Sequence, residues 1–160
     1  MQAVYFTRTI ARSNQLWTAD ADGSRLISTI NTTGKGAYDL TMVGSRLFMN
    51  AAGNETGNEL WTSDGTPAGT RLVKDIFPRL GGSYPGNFKS FQGSAYFSAE
   101  DGVNGRELWK SDGTDAGTSL VKDINPGGKL EQSIYPSRTR RLVILHRLGQ
   151  QLQRSAVGER

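Results

Sequence analysis

The residues best suited to chemistry recur in pairs. Glu59 and Glu107 stand 48 positions apart, each directly before a Leu-Trp pair. Two carboxylates about 5 to 9.5 Å apart are what glycoside hydrolysis needs, one as acid and one as base or nucleophile. Asp64-Gly65-Thr66 and Asp112-Gly113-Thr114 form a second pair. An Asp that starts a turn accepts backbone N–H bonds, and the following Gly supplies a positive φ. The same oxygens suit a hard cation, so a calcium loop is the functional alternative, and Asp20 and Asp22 of the first copy, with Gly23, look slightly more like one. Calcium takes about six to eight oxygens, and these turns bring one or two carboxylates each. With no Cys and a single His, His146, a thiolate or His-clustered metal centre is excluded. The sequence also contains no nucleophile elbow, no His-based triad and no phosphate loop leading into a helix. It therefore predicts structural turns and carboxylates kept because every unit needs them. No catalytic residue and no resident cofactor are expected. A carbohydrate-active enzyme or a calcium-dependent binder is the alternative reading.

What must position these residues is a repeat. The 18 residues from Glu59 to Ile76 recur from Glu107 to Ile124 with fifteen identities, and a worn copy runs from Gln15 to Ile30. Trp17, Trp61 and Trp109 mark the three copies, at spacings of 44 and 48. A period of about 40–50 residues that breaks into several short strands is the signature of propeller blades. In the second copy the strand-sized runs are 38–43, 47–51, 59–62 and 70–76. In the third they are 87–91, 95–99, 107–110 and 118–124, with Gly-rich turns between them. The expected fold is all-β: four-stranded antiparallel blades in an incomplete ring, a partial blade over 2–31 and full ones over 36–78 and 84–126. Trp17, Trp61 and Trp109 are expected to fill the layer between stacked sheets. An indole exposed as a sugar platform is the alternative. The loops bearing Asn54, Glu55 and Asn58, and Asp101, Asn104 and Arg106, should emerge on one edge, where a rigid β scaffold binds partners.

The stretch Glu107-Leu108-Trp109, then Ser111-Asp112-Gly113-Thr114, with its twin at 59–66, resembles the ELWxxDGT repeat family of long bacterial, hyalin-like repeat proteins. The likeness covers roughly residues 3–128, and the first copy departs from it with a shorter turn at Asp20–Ser24. It implies a secreted or surface-associated propeller-like array that acts as a binding scaffold for protein or glycan, of which this chain is a fragment. It implies no reaction. Three blades do not close a ring, so further blades or self-association are expected.

Charge divides the chain. Residues 129–160 hold seven basic and two acidic side chains, a net of +5. Set against the whole-chain +4, this leaves the first 128 residues at −1. A nearly neutral body argues against nucleic acid as its partner. No apolar run approaches the roughly 20 residues that span a bilayer, and the first residues turn polar too soon for a signal peptide. The tail breaks the repeat. Arg138 to Gln153 has the pattern of a short basic amphipathic helix, but the preferred reading is a translated frameshift. Synonymous codons for 142–160 can be chosen whose +1 frame restores a Leu-Trp motif, with its Trp codon overlapping Val157 and Gly158.

Overall fold

The computed structural model describes residues 4–78 and 81–124; the tail of 129–160 and its proposed helix lie outside them. Among the described residues there is no helix. Eleven strands form three antiparallel sheets, none of them closed. The first sheet is a meander of β1 (Val4–Ile10), β2 (Ser13–Asp20) and β3 (Gly23–Asn31). The middle sheet follows as β4 (Ala37–Val43), β5 (Arg46–Ala52), β6 (Asn58–Ser63) and β7 (Arg71–Lys74). The last comprises β8 (Gly86–Phe91), β9 (Ser94–Glu100), β10 (Arg106–Ser111) and β11 (Ser119–Lys122). The partial first copy thus has three strands, and the other two have four each.

Period-two alternation decides how the sheets meet. Along β5, Leu47, Met49 and Ala51 face the first sheet, where they join Leu16, Ile27 and Ile30 in one apolar cluster. Phe48 faces the other way and joins Leu60 and Val73 against Phe88, Phe97 and Trp109 of the last sheet. Both faces of the middle sheet are therefore covered, and β5 is buried continuously from Leu47 to Ala52. Every sheet carries the same irregularity at its Leu-Trp pair. The register with the next strand slips between Leu16 and Trp17, between Leu60 and Trp61, and between Leu108 and Trp109. The extra residue of this bulge, Val73 in the middle sheet, points into the core beside Leu60. The last strand of each full sheet is shorter than its apolar run because the amides of Ile76 and Ile124 leave the ladder and bond to Glu59 and Glu107.

First strands lie side by side: β4 touches both β1 and β8. Thr7 Oγ1 donates to the Ala37 carbonyl at 3.3 Å. Asp39 (φ 53°) and Asn87 (φ 59°) occupy equivalent bulges of β4 and β8, residue types that tolerate the left-handed region.

Two outcomes are expected of melting experiments. Trp109 is 7% exposed in the core between the middle and last sheets, so W109A should cost about 3–5 kcal/mol. Trp17 is half-buried on the outer face of the first sheet against Phe6, ring centroids 6.4 Å apart, so W17A should cost clearly less. Equal losses would contradict this assignment of faces. The β1–β2 turn holds Ala11 (φ 47°) and Arg12 (φ 68°), both in a region that L-residues other than Asn, Asp and Gly avoid. R12G should raise stability by about 1 kcal/mol, read as a higher melting temperature.

Candidate functional site

The repeated turn accounts for its own sequence position by position. In the middle sheet, Asp64 Oδ1 accepts the Thr66 N–H at 2.9 Å and the Thr66 hydroxyl at 2.6 Å. Thr66 Oγ1 then accepts the Gly69 N–H, and Thr70 Oγ1 donates to the Thr66 carbonyl. Ser63 and Thr70 share a hydroxyl bond of 2.7 Å, and Ser63 Oγ accepts the Gly65 N–H. Gly65 sits at φ 87°, and a Cβ on Gly69 would overlap the Asp64 carboxylate. The last sheet repeats every one of these bonds through Ser111, Asp112, Gly113, Thr114, Gly117 and Thr118. Hydrogen bonds from Thr66 and Thr114, side chain first and then backbone, hold the carboxyls of Asp64 and Asp112 below the ordinary range.

The turn also latches one sheet to the one before it. A Cβ on Gly65 would come 3.2 Å from the Tyr5 hydroxyl of β1, and one on Gly113 would come 2.6 Å from Arg46 Cδ, with the Phe48 ring behind it. Arg71 donates to the Gly113 carbonyl at 2.9 Å, and Lys74 pairs with Asp115 at 2.8 Å. Tyr5 and Phe48 hold equivalent positions in successive sheets, so each Gly seats on its predecessor's aromatic ring. Asp20 of the worn copy bonds the Asp22 N–H at 2.9 Å. Among the described residues no group of three or more ligating side chains gathers at any of these turns.

Glu59 is fully buried. Its Oε2 accepts the Ile76 N–H at 2.9 Å and the Ser83 hydroxyl at 2.6 Å, and its Oε1 accepts the Ser83 N–H at 2.7 Å. Burial pushes this carboxyl up despite those bonds, and the nearby Asp75 charge adds to the rise. One side chain thus fixes the crossing from the middle to the last sheet. The crossing is stitched further by the Tyr84 N–H to the Asn58 carbonyl and by the Glu100 N–H to the Ser83 carbonyl. Gly57 and Gly82 meet backbone to backbone there, leaving no room for a Cβ on either. Glu107 accepts the Ile124 N–H at 2.8 Å in the equivalent place. The first copy has Gln15 instead, and its crossing is held by Asn31, whose amide donates to Lys35 and Ala52 carbonyls.

The loop residues singled out from sequence bond largely within the protein. Asn54 accepts the Thr32 N–H, Asn58 donates to Asn50, and Asp101 accepts the Val103 and Asn104 N–H groups. Burial of Asp101 opposes its ionisation, but the Asn104 and Val103 bonds outweigh it and hold the carboxyl low. Arg106 donates to the Tyr84 carbonyl at 2.9 Å. Glu55 is exposed, and Val103 is 76% exposed. Ser83, Arg71 and Asp115 carry no signal in the motif; the recurring Lys74-Asp75 and Lys122-Asp123 read as rim or cross-strand charge pairs, and Lys74 takes Asp115 as its partner.

No family model, curated protein or solved structure matches the chain.

Replacing Glu59 by Ala orphans three buried donors and should cost about 3 kcal/mol or more; E59Q, with one acceptor oxygen left, should cost less. The pH dependence has a definite sign. The folded-state value lies above the ordinary 4.5, so the unfolded chain ionises first as pH rises. The stability that wild type derives from this group is whole below about pH 4.5 and declines as pH rises through the raised value. Denaturant melts across that window should show the gap between wild type and E59Q narrowing upward; a gap that widens would refute the shift.

Proposed function

We propose that the chain is part of a propeller-like interaction scaffold of the ELWxxDGT repeat type, working at the cell surface or outside the cell and binding protein or glycan through its loops without catalysis. One observation carries this reading. Every recurring polar group that could do chemistry is engaged in architecture: Glu59 has both oxygens bonded in a buried site, and the Asp64 and Asp112 carboxylates organise their own turns. The loops also differ between copies, and there Glu55 and Val103 stand exposed. Stacked meanders whose first strands adjoin support a blade arrangement, and a rigid β stack with variable loops at one edge is suited to recognition.

The test is an array of immobilised glycans probed with the full chain, with V103D and E55K variants in parallel. Retention that survives removal of divalent cations and is lost in the variants supports the reading. Retention indifferent to both substitutions, or release of reducing sugar during incubation, overturns it.

A further inference from the structure

The outward faces of the first and last described sheets are complementary. Toward the last sheet, the middle sheet offers an aromatic ring at Phe48, a bulge residue at Val73 and a basic side chain at Lys74. Register places Tyr96, Val121 and Lys122 in the same three positions of the last sheet, on its outer face. Val121 is 42% exposed, and Phe91, edge-on to Tyr96 with centroids 5.7 Å apart, is 39% exposed. At the other end, the first sheet turns outward Phe6, Trp17 and Leu26, which correspond to the Met49, Trp61 and Leu72 that the middle sheet turns toward it. Leu26 is 44% exposed. Charge matches as well. Where Lys74 meets Asp115 across the internal interface, Lys122 stands exposed, and the β2–β3 turn carries the exposed acids Asp20 and Asp22.

We propose that the outer face of the last sheet receives the first sheet of a second copy of this chain, head to tail, with Lys122 against the Asp20–Asp22 turn of that copy. The proposal extends an interface already built twice inside the molecule. Such a heterologous contact closes into a ring or grows as a filament. Two copies bring six sheets, within the range of about four to eight at which propeller rings close; closure alone rests on the blade reading.

Light scattering of the full chain over a concentration series at low salt tests it. Wild type should show a mass that rises with concentration. K122E and D22K should each weaken association several-fold, and V121E by roughly tenfold, because a charge would be carried into an apolar contact. The double variant K122E/D22K should recover most of the loss, its reversed charges meeting across copies. All three positions are exposed, and circular dichroism of each variant verifies folding. A chain that stays monomeric throughout, an association unmoved by charge reversal, or a double variant no better than the singles would overturn the proposal. Glycan retention is read separately, so losing one result leaves the other standing.

Discussion

Water has access to neither side of β5, an inner strand of the middle sheet. A strand such as β5, buried from Leu47 to Ala52, cannot follow the usual rule of one wet and one dry face. Its side chains must satisfy two neighbours at once. From this constraint comes the division of labour along the strand: Leu47, Met49 and Ala51 serve the sheet before and Phe48 the sheet after. At about 25 cal/mol per Å² of apolar surface, that double burial is the main favourable term available to a chain with no disulfide. The paired stacking also explains why large and small residues coexist there. Phe48 and Met49 fill depth on opposite sides, and Ala51 and Ala52 let the sheets approach at the crossing end.

Polar groups follow from the same geometry. Sheets that stack on both faces must be joined by crossings laid over their ends, and such crossings carry backbone amides with no strand to pair with. The chain meets that need with one carboxylate per full unit. Glu59 takes two amides and a hydroxyl out of the deficit, and Glu107 takes the Ile124 amide. At the opposite end, the Ser-Asp-Gly-Thr turns close on themselves and then press on the preceding sheet.

Much of this is legible in the amino-acid sequence alone. Apolar runs punctuated by Gly marked the strands of the second and third copies to within a residue or two. The fifteen identities fixed which residues are equivalent, and the Asp-Gly-Thr stretch read as a turn because Asp and Gly each have a local reason to be there. The crossings were not legible. Ser83 lies outside the repeated stretch, and its bond to Glu59 spans 24 residues, a distance at which no periodicity operates. β7 and β11 end short of their apolar runs for the same reason: Ile76 and Ile124 look like strand residues, and only their long-range partners take them out of the ladder. The loop at 101–106 reads as available polar surface, yet Asp101 Oδ1 accepts the Val103 and Asn104 N–H groups and its Oδ2 accepts the Asn104 side-chain amide.

The bond from Glu59 to Ser83 has a bearing on how such chains lengthen. The glutamate belongs to one sheet and its hydroxyl partner to the approach to the next, so the heritable unit straddles the architectural one. A segment from Trp61 to Trp109 carries Ser83 but leaves Glu59 behind, whereas one that begins at or before Glu59 keeps the clamp whole. One cut between the sheets, at the connecting segment, would deliver a glutamate with no hydroxyl to receive it. A segment that brings its own clamp must therefore begin at or before Glu59 and run through Ser83, across the boundary between the two sheets.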